Sequence, residues 1–179
     1  GELQMAKFVA YKPFDSIQVS LSLYPIFGEN FVDTFPGFDA NFFGLDGITY
    51  PDFYTTIGSS DGVQYEIIIR GDFGIAEDGF SLAGITNYLT VESEETGVQF
   101  YLSGIALNVD NVAQLLQPLP EIQVHPLLLD LLSGDDEIFL STGDDFFFAG
   151  SGDDTVQGDD GYDTIVGDDG DDVLHTGGN

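Results

Sequence analysis

Aspartate and glycine recur at a fixed nine-residue spacing in the last part of this 179-residue chain. From Leu131 onward, five segments read LLSGDDEIF, LSTGDDFFF, AGSGDDTVQ, GDDGYDTIV and GDDGDDVLH, followed by TGGN. The fourth position is always Gly, the sixth is always Asp and the eighth is always apolar. The position-six residues are Asp136, Asp145, Asp154, Asp163 and Asp172. Carboxylate oxygens are ligands for hard cations, so this spacing points to metal binding.

Each repeated position has a physical reason. Gly at position four permits a tight turn with positive φ, and Asp at position six places a carboxylate at the end of that turn. The next residues form a short strand whose position-eight side chain points inward. Two nonapeptides make one coil with a strand on each side, and stacked coils give two parallel sheets around a thin apolar ladder. The pattern therefore predicts a parallel two-sheet β-roll over residues 131–179.

The charge of the chain favours the same chemistry. It has 32 acidic residues against three basic ones, a net charge of −29, which attracts cations and repels nucleic acid and anionic membranes. Residues 131–179 contain 14 of the acidic groups and no Lys or Arg. Carboxylates one strand spacing apart, about 4.8 Å, repel by roughly 3.5 kcal/mol at an effective dielectric of about 20. A merely soluble or halophilic acidic surface is the alternative interpretation.

The five segments resemble the RTX, or hemolysin-type, calcium-binding repeat of secreted bacterial proteins, whose pattern is G-G-x-G-x-D-x-U-x. The resemblance implies Ca²⁺ held between same-side turns two repeats apart, with the position-six Asp side chains as ligands. Carried over to this chain, the pairs are Asp136–Asp154, Asp154–Asp172 and Asp145–Asp163, which gives about three ions. Backbone carbonyls of the turns complete the shell in that family. The candidates are Ser133, Asp135, Thr142, Asp144, Ser151, Asp153, Gly158, Asp160, Tyr162, Gly167, Asp169 and Asp171.

The sequence departs from the family pattern at two positions. Position one is Leu131, Leu140 and Ala149 in the first three repeats, where the pattern has Gly, and this weakens the expectation for the earliest site. Position two is Asp159 and Asp168 in the last two repeats. These extra carboxylates are expected to be solvated rather than to hold further ions.

Residues 1–130 predict a separate β-rich domain. Alternating apolar residues indicate strands at 17–24, 63–70, 80–91 and 98–107, separated by Gly-containing turns, and this is typical of an antiparallel meander. Short helices are predicted near 109–117 and near 127–132, the second capping the open end of the roll. Three Phe residues at outward positions of the first two repeats are expected to pack under this domain: Phe139, Phe146 and Phe148. The predicted fold class is therefore all-β, an antiparallel sheet followed by a parallel β-roll.

The function implied by the resemblance is that of a non-catalytic calcium-binding fragment of a secreted bacterial RTX protein. It would leave the cell by type I secretion, fold on meeting extracellular calcium and act outside the cell or on its surface, where a glycan or a protein is the expected partner. An aromatic stretch runs from Tyr11 to Tyr54 and has two interpretations, a surface on which sugars stack or part of the hydrophobic core. The alternatives are therefore an adhesin or carbohydrate-binding module, or an accessory domain of a larger enzyme or toxin.

No catalytic constellation stands out in the sequence. The chain has two His residues, His125 and His175, and no Cys, so thiol catalysis and zinc–thiolate sites are excluded. A zinc-protease H-E-x-x-H motif is absent. No stretch approaches the ~20 apolar residues of a membrane-spanning helix. We therefore expect no enzymatic activity in this chain.

Overall fold

The structure, a computed structural model, describes residues 5–12, 33–37, 42–43, 49–50, 52–60, 63–75, 82–93, 95, 97–108 and 126–178. The elements in chain order are β1 (Lys7–Ala10), β2 (Asp33–Gly37), β3 (Phe42–Phe43), β4 (Thr49–Tyr50), β5 (Asp52–Ser60), β6 (Val63–Ile75), β7 (Leu82–Ser93), β8 (Gly97–Asn108), α1 (Pro126–Leu131), β9 (Glu137–Phe139), β10 (Phe146–Ser151), β11 (Thr155–Gln157), β12 (Thr164–Asp169) and β13 (Val173–His175). The all-β fold predicted from the sequence is confirmed, because strands dominate the described residues and their helix is one and a half turns long.

A nine-stranded sheet runs through most of the described structure, in the order β13-β11-β9-β1-β8-β7-β6-β5-β2. Its strands β5 to β8 form the predicted antiparallel meander, each paired with the next in the chain. The strands predicted at 63–70, 80–91 and 98–107 correspond to β6, β7 and β8. The strand predicted at 17–24 and the helix predicted near 109–117 lie outside the described residues.

The repeats form the predicted roll of parallel strands. On one side β9, β11 and β13 pair in parallel, and on the other β10 pairs with β12. The position-eight side chains of the first three repeats, Ile138, Phe147 and Val156, are fully buried between the two sheets. In the last coil Leu174 is 40% exposed, since no further coil covers it in the described structure.

Strand β1 joins the roll to the antiparallel sheet. It pairs antiparallel with β8 and parallel with β9, with Phe8 opposite Ile138. Phe8 is fully buried and its ring centroid lies 4.9 Å from that of Phe147. A single apolar cluster consequently extends from the meander into the interior of the roll.

The short helix α1 leads into the other side of the roll. It begins at Pro126, a residue favoured in the first helical turn, and agrees within one residue with the prediction of 127–132. Leu128 and Leu132 are buried in the common cluster. The Leu132 carbonyl accepts a hydrogen bond of 3.3 Å from the Ser151 N–H, so the end of the helix covers β10 where a preceding coil would lie.

The outward Phe residues of the first two repeats are half-buried. The Lys7 ammonium of β1 lies 4.6 Å from the ring centroid of Phe139, so this ring packs under the preceding segment as predicted. Phe146 and Phe148 contact each other edge to face, with centroids 5.4 Å apart.

Candidate metal centre

The turns of the roll stack closely because position four is Gly. Gly152, Gly161 and Gly170 have φ values of 132°, 136° and 143°, a region that side-chain-bearing residues rarely adopt. A Cβ atom at any of them would collide with the carbonyl oxygen of the position-four Gly two repeats earlier; for Gly161 the distance to Gly143 O would be 2.6 Å. Each turn therefore lies directly on the turn of the preceding coil.

The position-six carboxylates form a hydrogen-bonded ladder along each side of the roll. Asp154 Oδ1 accepts the Asp136 N–H at 2.8 Å, and Asp172 Oδ1 accepts the Asp154 N–H at 3.0 Å. On the opposite side Asp163 Oδ1 accepts the Asp145 N–H at 3.0 Å. The ladder brings together the same pairs of Asp residues that the sequence relates by two repeats.

The second oxygen of most of these carboxylates has no partner. Asp136 Oδ2, Asp154 Oδ2 and Asp163 Oδ2 are buried and accept no hydrogen bond within the described structure. Asp136 and Asp154 are only 3% and 1% exposed as residues. A buried carboxylate oxygen without a partner is costly, and a bound cation supplies the missing partner. The residues therefore fit a hard metal ion.

Burial opposes ionisation of these carboxyl groups when no metal is bound. It raises the pKa of Asp136 to about 7, an effect that the hydrogen bond from Ala6 N–H partly offsets and the negative charges of Asp154 and Asp135 reinforce. The pKa of Asp154 is raised for the same main reason, burial, with Asp172 among the contributing charges. A divalent cation reverses this balance because it favours the ionised form.

Position one lies beside the free carboxylate oxygen of Asp163 in the fourth repeat. In the fourth repeat a Cβ atom on Gly158 would lie 2.6 Å from Asp163 Oδ2, so Gly leaves room for the carboxylate. In the first repeats the corresponding Leu140 and Ala149 are buried in the apolar cluster. The departure from the family pattern thus contributes core side chains, while Asp136 and Asp154 still stack.

Asp145 is held differently from the other position-six residues. Its Oδ2 accepts hydrogen bonds from the Ser141 N–H at 3.0 Å and from the Ser141 hydroxyl at 2.9 Å. Ser141 is not among the ligands expected from the sequence, although a Ser at position two of the same repeat is the signal that could have identified it. In the Asp145–Asp163 pair, Asp145 Oδ2 is therefore engaged by Ser141, whereas Asp163 Oδ2 accepts no hydrogen bond within the described structure.

The candidate carbonyl ligands lie along the turns beside these carboxylates. Gly158 and Gly167 are buried and Ser133 is half-buried, with its hydroxyl donating to the Asp130 carbonyl at 2.7 Å. The remaining ones are exposed: Asp135, Thr142, Asp144, Ser151, Asp153, Asp160, Tyr162, Asp169 and Asp171. Among the described residues no group of three or more Asp, Glu or His side chains converges on one point. An ion here would therefore rely on backbone carbonyls for much of its shell.

Strand β1 completes the ladder at its first end. The Ala6 N–H donates to Asp136 Oδ1 at 2.6 Å, and the Ala6 carbonyl accepts the Glu137 N–H at 3.0 Å. Asp136 makes the same two contacts with the third repeat. Its N–H donates to Asp154 Oδ1, and its carbonyl accepts the Thr155 N–H at 2.9 Å. Ala6 thus occupies the place of a position-six residue, and β1 acts as a surrogate coil.

A comparison with protein families decides what the repeats are. The profile described as the RTX calcium-binding nonapeptide repeat (4 copies) matches residues 130–165 and 148–179. These residues are RTX repeats. They form a calcium-binding structural module of the RTX type, as the sequence predicted. Comparisons with curated proteins and with solved structures found no match.

Apart from the candidate calcium ligands, the residues considered for function in the sequence lie mostly outside the described part of the chain. His125 lies outside it, and His175 is exposed at the end of β13. The side chains of the aromatic stretch between residues 13 and 54 also lie outside it. The segment Gly58–Gly62 matches G-x-S-x-G, but Ser60 pairs with Val63 in an antiparallel hairpin, whereas the catalytic elbow needs a strand-to-helix turn. The one described helix is too short to cross a membrane.

Proposed function

We propose that the chain is a non-catalytic, calcium-binding module of a secreted RTX protein, whose repeats fold when they meet extracellular calcium. The observation that carries the proposal is the set of buried, unpartnered carboxylate oxygens on Asp136, Asp154 and Asp163, each in a stacked same-side pair. Cations placed between the stacked turns would satisfy these oxygens and neutralise the repulsion within each pair.

Calcium suits this arrangement better than magnesium. Ca²⁺ accepts 6–8 oxygen ligands in flexible geometry, whereas Mg²⁺ demands near-ideal octahedral geometry and gives up its waters reluctantly. Carboxylate oxygens combined with carbonyls of Gly-containing turns supply many oxygens with little rigidity. Extracellular calcium modules bind with dissociation constants of about 10⁻⁴–10⁻³ M, so such a roll would be loaded outside the cell and empty in the cytosol. This difference supports the proposed extracellular or cell-surface location.

Three same-side pairs predict about three ions, and Asp154 belongs to two of these pairs. Asp154→Asn is therefore expected to reduce the stoichiometry from about three to about one, while Asp163→Asn reduces it to about two. Asn keeps an oxygen that can accept the ladder hydrogen bond, so both variants test ligation more than folding. The matched control is Asp159→Asn, which neutralises an exposed carboxylate at position two and should leave the stoichiometry unchanged.

The measurements are calcium titration calorimetry and equilibrium dialysis on the full chain, together with circular dichroism before and after addition of a chelator. We expect the strand signal of the roll to fall in chelator and to return with excess calcium. Absence of calcium binding at millimolar concentration, or an unchanged spectrum in chelator, would overturn the proposal. Equal stoichiometry in Asp154→Asn and Asp159→Asn would refute the assignment of ligands.

A further inference from the structure

The position-five carboxylates form a second ladder, distinct from that of position six. Asp135 Oδ1 accepts the Asp153 N–H at 3.0 Å, Asp144 Oδ1 accepts the Tyr162 N–H at 2.9 Å, and Asp153 Oδ1 accepts the Asp171 N–H at 2.9 Å. Each carboxylate thus binds the backbone of the position-five residue two repeats later. In all three cases the acceptor is an exposed residue, so burial does not force the contact.

The two ladders run in opposite directions. Position-six carboxylates accept an N–H from the earlier turn, whereas position-five carboxylates accept one from the later turn. In the second and fourth repeats, for example, Asp163 binds the Asp145 N–H while Asp144 binds the Tyr162 N–H. Positions five and six of one turn are therefore hydrogen-bonded to positions five and six of the next turn on the same side. The two bonds run in opposite directions, and this reciprocal pair is called the bracket below. The same bracket joins the first repeat to the third and the third to the fifth.

The stacked coils are already held by the pairing of their parallel strands. A reciprocal pair of bonds between their turns restricts the spacing and the relative rotation of the turns more than a single bond does. The position-six carboxylate of each turn and the candidate carbonyl ligand at position five belong to these same residues. Outer groups that orient metal ligands commonly change metal affinity by about 10–100-fold when they are removed. The bracket joins residues that include candidate metal ligands, so its loss is expected to lower the affinity for calcium in the same way.

We propose that Asp135, Asp144 and Asp153 are positioning residues for calcium, and that they act by holding each later turn in register through its position-five N–H. In this role their side chains act through the hydrogen bond that Oδ1 accepts from the backbone and not through contact with the ion. The proposal rests on the calcium-binding function proposed above. It adds a role for the side chains of three residues that the sequence suggested only as backbone carbonyl ligands.

Asp144 offers the sharpest test because its partner is Tyr162, the only tyrosine in residues 131–179. Tb³⁺ takes oxygen ligands as Ca²⁺ does, and its luminescence can be excited through a nearby tyrosine. Tyrosine-excited Tb³⁺ emission, displaced by added Ca²⁺, therefore reports the site between the second and fourth repeats. Tyr162→Phe should remove the emission that is excited through Tyr162. The difference in emission between the two proteins is therefore the signal of this site.

Asp144→Ala and Asp144→Asn remove the same charge, but only Asn retains an oxygen that can accept the Tyr162 N–H. We expect Ala to weaken calcium affinity at this site about tenfold relative to Asn. The control pair Asp130→Ala and Asp130→Asn changes an exposed carboxylate that is not among the candidate ligands and should give two equal affinities. Equal affinities for the two Asp144 variants would overturn the proposal.

The proposed function fails by a different result. If Asp163→Asn leaves the Tyr162-excited emission and its displacement by Ca²⁺ unchanged, calcium is not bound by the position-six carboxylate. If Asp163→Asn abolishes them while the two Asp144 variants bind equally, calcium binding stands and only the positioning role is refuted.

Discussion

Two aspartates at position two, Asp159 and Asp168, have φ values of 65° and 78°. The left-handed region suits Gly best, and Asp is among the few other residue types that enter it with modest strain. The family pattern has Gly at this position, and both aspartates are exposed. Their carboxylates add negative charge to a roll that already carries 14 acidic groups.

Asp168→Gly is therefore expected to stabilise the calcium-loaded protein, by about 0.5–1 kcal/mol, because relief of strain and repulsion exceeds the added flexibility of the unfolded chain. The midpoint of a thermal melt should rise by about 1–4 °C. Asp160→Gly removes a similar charge at a residue outside the left-handed region, and no gain is expected there. A gain of the same size in both variants would show that charge alone is responsible.

At the scale of single residues the sequence predicts type and spacing well but partners poorly. The position-four Gly and position-six Asp residues follow directly from the repeat. The bonds of Asp145 to Ser141, and of Asp144 to the Tyr162 N–H, do not follow. Residues at one position of the repeat look equivalent in sequence, whereas their partners depend on the rotamer each adopts in the stacked structure.

Strand β1 shows the corresponding limit at the scale of elements. The strands of the meander were predictable because their apolar residues alternate over many positions and Gly-containing turns separate them. Strand β1 has four residues, too few for a clear period, and its parallel neighbour β9 follows far along the chain. Helix α1 was predictable because Pro126 precedes a run of Leu.

Removal of the Phe8 side chain tests the surrogate coil. Phe8→Ala deletes a fully buried ring that packs on Phe147 and is expected to lower the free energy of unfolding by about 3–5 kcal/mol. Calcium affinity should fall as well, because Ala6 and Asp136 are then held less firmly. Chemical denaturation and calcium titration measure the two effects.

Met5→Ala is the matched control for Phe8→Ala, because Met5 lies in the same segment and its side chain is exposed. It should change both quantities little. Loss of stability in Phe8→Ala with undiminished calcium affinity would show that β1 supports the core but not the first metal site.

At the scale of the whole molecule, protons and calcium are alternative ways to relieve the charge of −29. The folded-state pKa of Asp136 is raised from 3.8 to about 7, and that of Asp154 is raised as well. The calcium-free folded state therefore binds protons more tightly than the unfolded state does. The stability that this provides is present at acid pH and is lost as the pH rises from about 4 through about 7.

In chelator the roll should accordingly retain more of its strand signal near pH 5 than near pH 8, as circular dichroism would show. Calcium affinity should change in the opposite direction, since binding needs ionised carboxylates and releases protons. Asp136→Asn should reduce both dependences. A strand signal in chelator that rises between pH 5 and pH 8 would contradict the assignment.

The change in composition near residue 130 predicts a division into an N-terminal β-rich domain and a roll. The continuity between the two parts was not predictable, because it depends on one sheet that includes β1, β8 and β9 and on a common apolar cluster. Composition describes each segment separately and carries no information on which edges pair.

The bond between Ala6 and Asp136 spans 130 positions of the chain, and this separation has a kinetic consequence. Hairpins of the meander and coils of the roll close short loops, whereas the pairing of β1 with β8 and β9 joins segments far apart in the chain. Closure of long loops is slow because much chain entropy is lost before any contact forms. Docking of β1 is therefore expected to be the late, rate-limiting step of folding, and until it occurs β8 and β9 both present unpaired edges.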